Sequence, residues 1–386
     1  MLTFRAVPAV IGFALAALGL VGLDLSSRPA PLGTAHAVWP VLTAEPIGRV
    51  GASVRGSVPM PIQTPSAHAS ALLAMPATHP AEIMVFWFAG AYESAPDVQI
   101  IASRFERSTE QWSPARVVVN RLQLGEALGF GVRRLGNPVA WLDGQGKIHV
   151  FVVATGMGGW AAGRIVHLRQ SNAGDAFEQL AFEPMNVLPL SWLWNTSHLV
   201  RSPPLALADG GMVLPVYFEI GVKYPLLLRF GPDGSFRGMT RISRVRHLLQ
   251  PTLLMQTPTQ WLALMRNQSR NYKVGVAQTY DGGLTWEDRP ELDLYNRDVA
   301  LAGLALQRGN MFLVHNTTAA ARSVLAMSES VDGVHWNQVA ELEAGQPPDE
   351  FSYGAIALAG KHLWVSYTDR RKRISWQRFM LAPGAP

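Results

Sequence analysis

Thr279-Tyr280-Asp281-Gly282-Gly283-Leu284-Thr285-Trp286 is the stretch on which the fold turns. A hydroxyl residue, an aspartate two places on, paired glycines and a closing Thr-Trp describe a tight turn between two strands. The aspartate carboxylate can accept hydrogen bonds from backbone N–H groups of its own turn, and glycine supplies positive φ at no steric cost. The tryptophan is left to pack between strands. Ser330-Val331-Asp332-Gly333-Val334-His335-Trp336 repeats the pattern one residue short. Ser103 to Trp112 and Gln170 to Phe177 read as eroded copies.

Outward from these turns a larger repeat is visible. Six short apolar strands begin at Ile83, Ile148, Met212, Trp261, Met311 and His362, with intervals of 65, 64, 49, 50 and 51 residues. A period near 50 with a strand and a turn in each copy predicts a β-propeller of six four-stranded blades. The two long intervals predict insertions in the first half. Strands such as Ile83-Met84-Val85-Phe86-Trp87-Phe88 are apolar throughout, as expected where both faces of a sheet are covered. A pair of β-sandwiches is the structural alternative. Segments of helical period are missing after the N-terminus.

Composition agrees. Of 386 residues, 48% are hydrophobic and 16% charged, enough apolar side chain for a large core and too little charge for a disordered chain. The 35 glycines and 27 prolines fit a turn-rich fold. A net charge of +5 without long basic blocks argues against nucleic acid as a partner; the run Arg370-Arg371-Lys372-Arg373 reads as a solvated strand end. The absence of cysteine excludes disulfides, thiolate metal sites and cysteine nucleophiles. No metal or cofactor pattern stands out, and Gly156-Met157-Gly158-Gly159 lacks the helix a phosphate cradle needs.

The N-terminus carries Arg5 and then an uncharged run from Ala6 to Leu23, closed by Asp24. Eighteen such residues can just span a bilayer. Residues 1–25 are therefore expected to anchor the chain in the cytoplasmic membrane by a single pass, with the remainder outside. Ala35-His36-Ala37 lies too far beyond the run to favour signal cleavage. Residues 26–60 read as a Pro/Gly-rich linker and 61–386 as the propeller.

The two turns fit the Asp-box, and from about Ala67 to Phe379 the chain resembles the sialidase (neuraminidase) superfamily, in particular bacterial sialidase-like proteins with BNR repeats. The resemblance implies a site at one mouth of the central channel, with three arginines, a tyrosine nucleophile beside a glutamate, and an aspartate acid/base. Tyrosine replaces the usual carboxylate nucleophile in such enzymes. Carried onto this chain, it implies Arg266 and Arg322 as substrate contacts, Tyr353 as nucleophile and Asp97 as acid/base.

Two positions depart from the family. His68 stands where the first arginine belongs, and Gln250 where the glutamate that assists the tyrosine belongs; Thr368, with Asp369 beside it, replaces the brace of that first arginine. Residues just after the repeat strands should also converge on the mouth, among them Glu93, Thr155, Glu219, Asn267, Asn316 and Thr317. Arg201 and Glu350 complete the expected set. The implied function is an exo-glycosidase acting on an acidic cell-surface glycan with an altered catalytic set. A non-catalytic glycan-binding propeller, or a scaffold in surface polysaccharide assembly, is the alternative.

Overall fold

The structure, a computed structural model, describes residues 6–27, 32–39, 47–62, 64–171, 176–191, 195–269, 271–307 and 309–383. Six antiparallel sheets follow one another around an axis. Blade A begins with Ser66–Ala74, blade B with Arg134–Leu142, blade C with His198–Val200, blade D with Leu248–Met255, blade E with Ala302–Ala305 and blade F with Phe351–Ala359. These first strands pack against one another around the channel. The strands noticed in the sequence are the second of each blade; Ala81–Gly90 and Ile148–Thr155 are buried along their whole length. The extra residues of the first half include a helix, Arg121–Leu128, capped by Asn120 and Gly129, and the connections flanking Phe182–Val187.

The Asp-box turns join third to fourth strands. Asp281 Oδ1 accepts the N–H groups of Leu284 (3.0 Å) and Thr285 (2.9 Å), and Gly282 and Gly283 take φ of 70° and 85°. Trp286 Nε1 donates to the Gly283 carbonyl at 3.2 Å. Asp332 repeats this with Val334 and His335, at 2.8 Å each. Asp233-Gly234-Ser235 makes a third, shorter version in blade C. The eroded copy at Ser103 to Trp112 occupies the same blade position; residues 172–175 of the other lie outside the described residues.

Two expectations change at the N-terminus. The linker was expected to run to residue 60, yet Ile47–Ser57 is the outermost strand of blade F, pairing antiparallel with the third strand, Arg373–Pro383. The first propeller strand thus closes the ring with the last sheet. Ala35 and Ala37 are also buried, among Leu227, Trp261 and partly buried Trp286. Ala37 N–H donates to the Pro258 carbonyl and Val38 N–H to that of Ala206, at 2.8 and 3.0 Å. This segment lies at the Asp-box end of the molecule. Residues 28–31 and 40–46 of the expected linker lie outside the described residues, as do Met1 to Arg5 of the expected anchor.

The anchor itself is a helix, Ala6–Ser27. Among the described residues no helix is long and apolar enough to cross a membrane. The expected transmembrane pass is not found.

Candidate functional site at the channel mouth

A recurring irregularity in the first strands shapes the mouth. Blades A, B, D and F each carry a β-bulge in the first strand, with a non-glycine residue at positive φ: Ala69 (53°), Asn137 (44°), Gln250 (49°) and Tyr353 (52°). An extra residue bends the strand and re-aims its side chains. Such φ values in non-glycine residues are strained and concentrate at functional sites. The bulges lie at the end of the blades opposite the Asp-box turns, where the second strand leads into the third.

Three of the expected residues meet directly. Arg266 Nη1 donates to Gln250 Oε1 at 3.1 Å and to the Tyr353 hydroxyl at 3.4 Å. Its Nε donates to Asp298 Oδ1 at 2.6 Å. Burial would lower the Arg266 pKa, but Tyr353 and Asp298 outweigh it and raise it. Gln250 Nε2 donates to the Tyr217 hydroxyl at 3.2 Å, and burial holds that phenol neutral by raising its pKa. His68 lies under Tyr353, ring centroids 4.3 Å apart, with Phe88 at its edge. The imidazole is buried and neither nitrogen has a partner. Burial, then the charge of Arg371, drives its pKa well below the ordinary value.

A second group of charges adjoins the first. Arg322 donates to the carbonyls of Arg297 (3.2 Å) and Asp298 (2.5 Å), and its Nη1 to Glu350 at 3.2 Å. Arg371 donates to both oxygens of Glu350, at 2.8 and 3.1 Å, and bridges to Glu93. Burial alone would raise the Glu350 pKa; hydrogen bonds from Arg371 and Ser352 and the two guanidinium charges lower it to about 2. Arg201 is buried beneath Tyr353, its guanidinium 5.5 Å from the ring, and donates to the Tyr353 and Gly354 carbonyls at 2.7 and 2.8 Å. It holds the bulge rather than facing the mouth.

The remaining expected residues are placed apart from these contacts. Asp97 is exposed and both its oxygens accept the Ala91 N–H, at 3.2 and 3.0 Å, so its carboxylate pins its own loop. Glu219 pairs with Lys223 at 2.7 Å and reaches the cluster only as a charge acting on Tyr217. Asn267 is buried and donates to Glu291 at 2.6 Å. Thr368 accepts the Ala69 N–H at 3.0 Å, so the residue in the brace position secures the backbone beside His68. Asp369 is buried against Arg373 and Ser375.

Four participants were not anticipated: Arg371, Asp298, Tyr217 and Ser352. Arg371 lies inside the run read as a solvated strand end. Its positive φ of 56°, and that of Arg370 at 51°, turn the chain so that Arg371 faces Glu350 and Glu93. Ala67 N–H donates to the Arg371 carbonyl at 3.0 Å, which sets Arg371 beside the strand bearing His68. A guanidinium from blade F therefore stands near the place where blade A lacks one.

Six blades, Asp-box turns and an arginine-rich channel mouth define a sialidase-like propeller. The chain belongs to the BNR repeat-like domain family, whose match covers residues 81–365. Among solved structures, it is similar to the Hadza microbial sialidase Hz136, at 16% identity and TM-score 0.69, over 83% of this chain and 66% of that one. Trypanosoma rangeli sialidase in complex with sialic acid aligns at 11% identity and TM-score 0.66, over 87% and 60%. A protein of unknown function from Dyadobacter fermentans aligns at 10% identity and TM-score 0.64, over 87% and 99%. The chain spans about two thirds or less of the length of the two sialidases. At these identities the likeness establishes the fold. No curated protein sequence matches the chain.

Proposed function

We propose that this propeller binds an acidic glycan at the channel mouth without cleaving it. The carrying observation is the environment of the Tyr353 hydroxyl. Its hydrogen-bond partner among the described residues is Arg266, and the neighbouring side chain is the amide of Gln250, held between Arg266 and Tyr217. A tyrosine nucleophile needs a nearby base to take its proton. An amide cannot do this, and Asp97 is spent on the Ala91 N–H. Recognition is better provided for. Arg266, Arg322 and Arg371 present planar, multi-donor groups suited to a carboxylate, and their partners Asp298 and Glu350 hold them in place.

A second reading, sialidase-type hydrolysis of an acidic glycoside, draws support from the contact that sets the Tyr353 hydroxyl against Arg266 at the mouth. Both readings put the propeller outside the cytoplasm, where such glycans lie; protease accessibility in intact cells and spheroplasts tests that placement. The two are separated by presenting the full-length protein with arrayed sialosides and uronic-acid glycosides and, in parallel, with their fluorogenic forms. Binding that falls at least tenfold in Arg266→Ala, with no turnover, is the expected result. Turnover that disappears in Tyr353→Phe would replace the binding reading with the hydrolytic one.

A further inference from the structure

Arg201 is a buried cation with no acid beside it among the described residues. The residue is 3% exposed. Its Nη1 donates to the Ser70 carbonyl at 3.1 Å and its Nη2 to those of Tyr353 and Gly354, while its Nε has no partner. The charged or ionisable groups that act on it are the phenols of Tyr353 and Tyr217. Burial outweighs them and lowers its pKa to about 10. A charge taken out of water without a counter-charge is strongly destabilising.

Ser202, next in sequence, is equally buried, and its hydroxyl is also unpaired. Arg201 and Ser202 both line a cavity of about 20 Å³ in the channel, walled by Ala71, Val139, Ala302 and Ile356 among others. That volume admits one small species. The two unsatisfied groups are both able to donate, and the carbonyls nearest the guanidinium already accept from it. A water would receive both hydrogen bonds but leave the guanidinium charge unmatched; a species that only accepts fits better. Such a species would also supply the missing negative charge.

We propose that this cavity is a halide site, with chloride seated between the Arg201 Nε–H and the Ser202 hydroxyl. The ion neutralises Arg201 and thereby stiffens the bulge that presents Tyr353 to the mouth. This holds whether the mouth binds or cleaves its ligand. Full-length protein crystallised with bromide in place of chloride should show an anomalous peak touching Arg201 and Ser202. Chloride should raise Tm by about 2–4 °C over gluconate at equal ionic strength, and Ser202→Ala, a change that leaves the guanidinium and its carbonyls intact, should reduce that shift by at least half. No bromide peak in the cavity, or equal Tm in the two salts, overturns the proposal.

Discussion

Glu350→Gln tests the charge network most directly. Glu350 receives Arg322 at 3.2 Å and Arg371 at 2.8 and 3.1 Å, and its side chain is 20% exposed. Its pKa falls from 4.5 to about 2 despite burial, which works the other way. A depressed carboxylate pKa contributes stability that is present above the unfolded value and is lost as pH falls through the folded one. The drop corresponds to roughly 3 kcal/mol at pH 7, at 1.36 kcal/mol for each pH unit. The same relation leaves less than half of that at pH 3. The variant should therefore be less stable than wild type by about 3 kcal/mol at pH 7, and the gap should shrink to about half or less by pH 3. Urea unfolding of both proteins across that range measures it. A gap below about 0.5 kcal/mol at pH 7, the scale of an exposed ion pair, would refute the reasoning. So would a gap that stays constant with pH.

Other changes probe separate parts of the molecule. Asp281→Ala removes the acceptor for Leu284, Thr285 and the Thr279 hydroxyl and should cost about 2 kcal/mol, read as a lower urea midpoint; an unchanged midpoint would show that the turn forms without it. Gly282→Ala forces a Cβ to within 2.0 Å of the Ala35 carbonyl oxygen at a φ of +70°, so limited proteolysis should cut residues 32–39 faster than in wild type. His68 should stay neutral where an ordinary imidazole becomes charged, because burial and then Arg371 both disfavour its charge; an NMR titration at the ordinary imidazole pKa would contradict this. Gln250→Glu puts a carboxylate where Arg266 and Tyr217 now hold an amide, and measurable hydrolysis of an aryl sialoside should appear if the missing base is all that prevents it. Continued inactivity would mean that another part of the machinery is absent.

The propeller was legible because its signals are local. Asp281 and Asp332 bond within their own turns, and second strands such as Ala81–Gly90 are buried on both faces, so spacing alone exposes the period. Ile47–Ser57 escaped notice for the opposite reason. It is an outer strand, exposed from Gly51 to Ser57, and its Ile-Gly-Arg-Val-Gly-Ala-Ser-Val-Arg-Gly-Ser carries no apolar pattern. In the site, the first-strand positions His68, Gln250 and Tyr353 were marked out by the resemblance to the sialidase superfamily, while the bulges that carry them left no signal in the sequence. Asp97 was expected at the mouth from the resemblance and Asn267 from its place just after a repeat strand, but the Asp97 carboxylate is taken by the Ala91 N–H and the Asn267 amide by Glu291. Arg371 was hidden because its direction depends on two successive positive φ values that nothing in a basic run announces.

The strand Ile47–Ser57 has a consequence for biogenesis. It leaves the ribosome before any other strand of the propeller, yet its partner Arg373–Pro383 follows the other five sheets in the chain. During synthesis it must wait unpaired while five sheets assemble, and the sixth is completed only when Arg373–Pro383 arrives. Until Arg373–Pro383 has emerged, the growing chain displays a free strand edge at each end, and its arrival is what lets them join.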